Sequence, residues 1–239
     1  MKKNIVITGG NGRFGSLLKT ISKKNSLLFP TKKQLNILKL NSIKNYLKKN
    51  KPRILIHLAG LSRPMSIHDK YINKSIDLNI IGTANIVKIC SLLRIKLVYF
   101  STHYVYPCKK GNYSENSPLL PINNYAWSKL GGEAAVQMYK NSLILRVCMT
   151  EKPFVHKYAF ANVKSNFIFH EDVAKILFKL INKKGIINVG EKIQTIYNFA
   201  KKNNSQVKKK YLKNKSKIEF PKNPSINIDK LKKIIRLKH

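Results

Sequence analysis

Acidic residues are scarce in this chain: 10 Asp and Glu stand against 47 Lys and Arg among 239 residues, a formal charge of +37. Cysteine is sparser still, and Cys90, Cys108 and Cys148 lie far apart. An odd number at such spacing excludes a disulfide framework and a C-x-x-C pair, so a reducing compartment and no metal are expected. No apolar run approaches the roughly 18 to 20 residues that cross a bilayer. Behind Met1-Lys2-Lys3 only a short apolar stretch precedes the first glycines, too little for a signal-peptide core. With 11 glycines and 9 prolines the chain is no fibrous or low-complexity sequence, and 43% hydrophobic residues suffice for a packed interior. The expectation is a soluble cytoplasmic protein of one large domain with a small appendage, and no membrane partner.

The cationic surplus is compatible with a nucleic-acid binder, but such proteins gather their charge in a patch or tail. Here lysine is spread along the whole chain beside many Asn and Ile, the pattern of compositional bias, so no specific nucleic-acid partner is expected. The densest stretch, Lys201 to Lys217, reads as a solvated loop.

Short apolar runs alternate with segments of helical period. Ile5 to Thr8, Leu27 to Phe29, Ile54 to Leu58, Leu97 to Phe100 and Leu143 to Leu145 are nearly continuous apolar runs, as in parallel strands covered on both faces. Between them Phe14 to Lys23, Ser42 to Lys49, Asp69 to Leu93 and Asn124 to Lys140 read as helices. Later come a helix over Glu171 to Leu180, a strand over Ile186 to Val189 and a terminal helix over Ile228 to Leu237. This is an α/β chain, a Rossmann-type doubly wound parallel sheet. A dinucleotide-binding domain over 1–148 is expected, with a smaller substrate-binding region over 149–239. The two interleave, with the helix at 171–181 packing back on the main domain.

The first strand ends in Thr8-Gly9-Gly10-Asn11-Gly12-Arg13-Phe14-Gly15, and a helix follows. Glycines at 9, 12 and 15 permit a tight turn, close approach of backbone to a pyrophosphate, and close packing of helix on sheet. The acidic residue that bonds the ribose of NAD after the second strand is missing; the stretch reads Phe29-Pro30-Thr31-Lys32-Lys33. Lys32, Lys33 or Arg13 would suit a 2′-phosphate, which favours NADP slightly over NAD. The alternative is two more lysines in a lysine-rich chain.

The fourth strand runs into Ser101-Thr102-His103-Tyr104-Val105-Tyr106, and Tyr125-Ala126-Trp127-Ser128-Lys129 lies downstream. Tyr125 and Lys129 share a helix face one turn apart. A phenol of pKa near ~10 is a poor proton donor at neutral pH, and a neighbouring ammonium stabilises its phenolate. The Thr102 hydroxyl at the strand end can then hold a substrate oxygen.

On these segments the chain resembles the extended short-chain dehydrogenase/reductases, and within them the dTDP-4-dehydrorhamnose reductase branch. His57-Leu58-Ala59-Gly60, Asn79 to Asn85, Asn124 to Glu133, Leu145-Arg146, Phe169 to Ala174, Ile187 to Gly190 and Asn223 to Lys230 extend the likeness over nearly the whole chain. The resemblance implies that Gly9, Gly12, Arg13, Phe14 and Gly15 cradle the cofactor, that Ala59 and Gly60 line its adenosine side, and that Asn79 steadies the active-site backbone. It makes Thr102, Tyr125 and Lys129 the catalytic trio, with Lys129 also on the nicotinamide ribose. The implied reaction is reduction of a nucleotide-linked 4-keto-6-deoxy sugar. A homodimer is left open. Alternatives are an NAD-dependent nucleotide-sugar epimerase or dehydratase of the same superfamily, and a non-catalytic NAD(P)-binding regulatory homologue.

Three departures stand out. His103 replaces an Asp common in the branch and is a candidate for the substrate side. Asn36 replaces an Asp that bonds adenine, and still offers an acceptor oxygen. Only 23 residues separate Arg146 from His170, where sugar-nucleotide enzymes carry a longer excursion. Within them Lys152, His156 and Lys157 are candidates for a substrate diphosphate, with Phe154 or Tyr158 stacking on a base; a plain surface loop is the competing reading.

Overall fold

Runs of apolar residues without polar alternation need cover on both faces. The computed structural model describes residues 5–21, 27–212 and 221–236 and gives them that cover. The chain divides into two compact units: residues 1–101, 124–145 and 181–185 make the first, and 102–123, 146–180 and 186–239 the second.

The first unit alternates strand and helix: β1 (Ile5–Thr8), α1 (Arg13–Ile21), β2 (Leu27–Leu28), α2 (Leu40–Asn50) and β3 (Ile54–His57). Then follow α3 (Ile67–Lys70), α4 (Ile72–Ser75), α5 (Gly82–Leu92), most of β4 (Lys96–Thr102), α6 (Asn124–Gln137) and most of β5 (Ser142–Val147). The strands lie in the order β5-β4-β3-β1-β2. β1 runs parallel to β2 and β3, and β3 parallel to β4. Every residue of β1 and β3 is buried. Because β2 lies on one side of β1 and β3 on the other, the winding reverses there, and ligands of such sheets bind at the carboxyl ends beside that reversal.

Asp69 to Leu93, expected as one helix, is broken. Tyr71 leaves helical space (φ −129°, ψ 65°) between α3 and α4, and a π-helical turn over Ile76–Ile81 precedes α5. A π turn re-aims side chains and is frequent at functional sites; here it carries buried Asn79.

The second unit is built from short pieces: β6 (Met149–Thr150), β7 (Tyr158–Phe160), β8 (Lys164–Ser165), β9 (Ile168–Phe169), α7 (His170–Leu180), most of β10 (Gly185–Val189), β11 (Gln194–Thr195), α8 (Ile196–Asn203), β12 (Lys208–Lys210) and α9 (Asp229–Arg236). β6 pairs with β9, β7 with β12, and β8 with β11. Phe154, Ala159, Val163, Phe169, Ile196, Phe199, Ala200 and Val207 form its core cluster. Arg146 is fully buried and donates to the Tyr106 hydroxyl (2.7 Å) and the Glu115 carbonyl (3.1 Å), while Tyr106 donates to Asn188 Oδ1 (2.9 Å).

The lysine-dense stretch differs from the loop expected of it. Its described part ends α8 and supplies β12, whose lysines stay exposed because pairing with β7 uses only the main chain. Lys213 to Lys217 lie outside the described residues, as do Met1 to Lys3, Lys23 and Leu237. Among the described residues no helix is long and apolar enough to cross a membrane.

Candidate active site

The glycine turn sits at the reversal between β1 and β3. Gly9 has φ +74°, and a Cβ there would meet the Ala59 backbone nitrogen at 2.6 Å, so the loops after β1 and β3 are pressed together at a residue that must be glycine. A Cβ on Gly15 would meet the Gly9 carbonyl oxygen at 2.4 Å, which seats α1 directly on the turn. At Gly12 a Cβ would touch only that same oxygen, at 3.2 Å; the residue is exposed and its outer side is open. Tight inside, open outside and facing a helix N-terminus, the turn fits the pyrophosphate of a dinucleotide. Phe14 is buried, its ring 5.3 Å from that of Phe100, so only its main chain is available to a cofactor. Arg13, Lys32 and Lys33 are exposed. Asn36 Oδ1 accepts from the Leu38 N–H (3.0 Å) and thereby caps its own turn.

Register sets Thr8 and His57, at the carboxyl ends of β1 and β3, in one row with Tyr99 in the middle of β4. Thr8 Oγ1 lies 2.7 Å from His57 Nδ1, and His57 Nε2 lies 3.2 Å from Thr83 Oγ1 of α5. Burial, with Lys129 adding to it, lowers His57 to about 3, so the imidazole is neutral across the physiological range. The Tyr99 hydroxyl donates to the Lys129 carbonyl at 3.0 Å. The Lys129 ammonium lies over the Tyr99 ring, 4.2 Å from its centroid. Burial pushes Lys129 down to about 7, against an upward pull from Glu133. Glu133 is itself buried and accepts from the Ser101 hydroxyl.

Tyr125 and Lys129 lie one turn apart on α6, as their spacing predicts. The Tyr125 ring packs against the ring of His68, 5.1 Å between centroids. His68 is fully buried and its Nδ1 lies 2.7 Å from Ser75 Oγ. Asn79 acts as a clasp. Its Oδ1 accepts from the Leu61 N–H (2.7 Å), and its Nδ2 donates to the Leu61 carbonyl (2.9 Å) and to Ser128 Oγ (2.8 Å). The Ser128 hydroxyl donates in turn to the Tyr125 carbonyl (2.8 Å). Asn79 thus ties the loop after Ala59 and Gly60 to the helix turn that carries Tyr125 and Lys129.

Thr102, His103, Lys152, His156 and Lys157 belong to the second unit. Thr102 is buried and its Oγ1 accepts from the Tyr104 N–H (3.3 Å). His103, a candidate for the substrate side, requires a correction: it is 4% exposed, with Nδ1 donating to the Val147 carbonyl (3.2 Å) and Nε2 3.4 Å from Cys148 Sγ. Burial lowers it to about 4. As placed, it braces the turn after Thr102. Phe154 is a second correction: it is 4% exposed within the core cluster, and cannot stack on a base. Tyr158, Lys152, His156 and Lys157 are exposed.

Sequence reasoning missed His57, Tyr99 and Glu133 as parts of one polar cluster. For His57 the signal was present, a polar residue where a parallel strand ends beside the reversal of winding.

The family described as RmlD substrate binding domain matches residues 1–158. The methionine adenosyltransferase 2 subunit beta of Xenopus laevis is 30% identical over 155 residues, which cover 61% of this chain and 46% of that protein. The dTDP-4-dehydrorhamnose reductase of Mycolicibacterium smegmatis is 26% identical over 140 residues, covering 57% of this chain and 42% of that one. The match therefore spans somewhat under half the length of either curated relative. Among solved structures, a dTDP-4-dehydrorhamnose reductase of Bacillus anthracis in complex with NADP has a TM-score of 0.85 at 23% identity, covering 97% of this chain and 92% of that one; this is a likeness of fold. The family match takes in the glycine turn, the row of Thr8, His57 and Tyr99 and the Tyr125–Lys129 helix, and by it the chain belongs to the RmlD substrate binding domain family.

Proposed function

We propose that the chain is an NAD(P)H-dependent oxidoreductase that reduces a nucleotide-linked 4-keto-6-deoxy sugar. The observation that carries this reading is the pairing on α6 of Tyr125 with Lys129, whose ammonium is held over a buried aromatic ring and whose pKa is lowered to about 7. The bound nicotinamide would supply the hydride. Gly9, Gly12 and Gly15 bind its pyrophosphate through the main chain, and Lys129 holds the ribose hydroxyls. Tyr125 gives its proton to the carbonyl oxygen of the substrate, its phenolate stabilised by Lys129. Thr102 holds that oxygen. Lys32 and Lys33, both exposed after β2 in place of an acidic residue, support NADP over NAD. Exposed Lys152, His156 and Lys157 are the groups offered to the substrate diphosphate.

A second reading is favoured by one observation: several of the curated relatives are named as subunits of methionine adenosyltransferase. In that reading the chain binds NAD(P) as a non-catalytic partner of another protein. Incubation with NADPH and a panel of 4-keto nucleotide sugars separates them. Loss of reduced-nicotinamide absorbance with one of the sugars is expected; saturable NADPH binding with no turnover of any sugar would favour the subunit.

A further inference from the structure

Tyr99 grips Lys129 at both ends, its hydroxyl on the carbonyl at 3.0 Å and its ring beneath the ammonium at 4.2 Å. We propose that Tyr99 is a positioning residue for Lys129, whose ring replaces water as the ammonium's surroundings so that the lysine keeps both its aim and its proton. This deepens the reductase reading and rests on it for its catalytic meaning, though not for its geometry.

The groups around the ammonium leave this task to the ring. From β3, His57 is neutral and supplies no counter-charge. From α6 itself, Glu133 favours the ammonium, but its carboxylate already accepts from Ser101 and from Gln137 (3.2 Å); Tyr125 is the group Lys129 serves. From β4 comes Tyr99. Its phenol is held well above its ordinary pKa by burial first, then by Glu133 and Tyr125, so it stays a neutral donor. Tyr99 has no solvent exposure, and a desolvated cation over an aromatic face gains more than an exposed one. Gly132 makes the grip possible, since a Cβ there would meet the Tyr99 hydroxyl at 2.9 Å and the Asn79 carbonyl at 2.4 Å. A buried lysine with neither water nor ring would lose its proton at lower pH.

The test is the titration of the Lys129 side-chain nitrogen by nuclear magnetic resonance, in the full chain, without cofactor. Tyr99→Leu should lower the midpoint by about one pH unit, the equivalent of a desolvated cation–π contact. Tyr99→Phe keeps the ring and should leave the midpoint near that of the wild type. Should Tyr99→Leu fail to fold, phenylalanines of increasing fluorination at position 99 change ring charge at nearly constant shape, and the midpoint should fall stepwise through the series. An unmoved midpoint in Tyr99→Leu, or a flat fluorination series, overturns the proposal. The alkaline limb of kcat/KM should move with the midpoint in each variant. A moving midpoint in a protein that turns over no sugar upholds the role of Tyr99 and rejects the reductase reading.

Discussion

Tyr125 and Lys129 are ordinary residues made useful by what surrounds them. A lysine in water holds its proton to about 10.5, but burial brings Lys129 to about 7. Activity that needs the ammonium should therefore fall as pH rises through roughly neutral, about three and a half units below the loss expected of an exposed lysine. A plot of kcat/KM against pH checks this; a limb near 10 would show that the ammonium is not desolvated during turnover. Asn79 is the second test at this scale. Asn79→Ala removes three hydrogen bonds and leaves the Leu61 main chain without its partners, which should cost about 2 to 3 kcal/mol in denaturant unfolding. The spacing of Tyr125 and Lys129 was legible in the sequence because it is a helical repeat. Tyr99 was not, because an aromatic inside an apolar strand looks like any core residue. Phe154 and His103 escape a sequence reading for a related reason: nothing in a sequence distinguishes an aromatic beside a loop lysine from one in the core beneath it.

Among the elements, the turn from β1 into α1 carries the cofactor argument. Gly9→Ala meets a left-handed backbone and the Ala59 main chain together. It should lower stability by more than the ~1 to 3 kcal/mol of backbone strain alone and abolish measurable NADPH binding in a fluorescence titration. Gly185 is the control. It has φ +81°, and a Cβ added there would have nothing within 4 Å, so Gly185→Ala should cost only about 1 kcal/mol and leave binding intact. Strands β1, β3, β4 and β5 were readable as unbroken apolar runs. The π turn was not, since the apolar spacing from Ile76 to Val87 continues across it, and no Gly or Pro between Asp69 and Ile76 marks the break at Tyr71. The paired strands of the second unit are two or three residues long, too short to show any period.

For the whole chain, the surplus of 47 basic over 10 acidic residues is spread rather than gathered. Binding to duplex DNA should be indifferent to sequence and should collapse between about 50 and 200 mM salt, as counterion release requires. Binding that keeps a sequence preference at the higher salt would make the charge functional. Fold alone does not choose between an enzyme and a binding subunit, because one scaffold serves both; the choice rests with the residues on α6. The most direct measurement is a single turnover, with protein in excess over a 4-keto nucleotide sugar and NADPH present, run on the wild type and on Tyr125→Phe with NADPH affinity measured for both. Hydride transfer in the wild type, slowed by about 10² to 10⁴ in the variant at unchanged affinity, is expected; equal rates in the two proteins, or no transfer in either, would contradict the assignment.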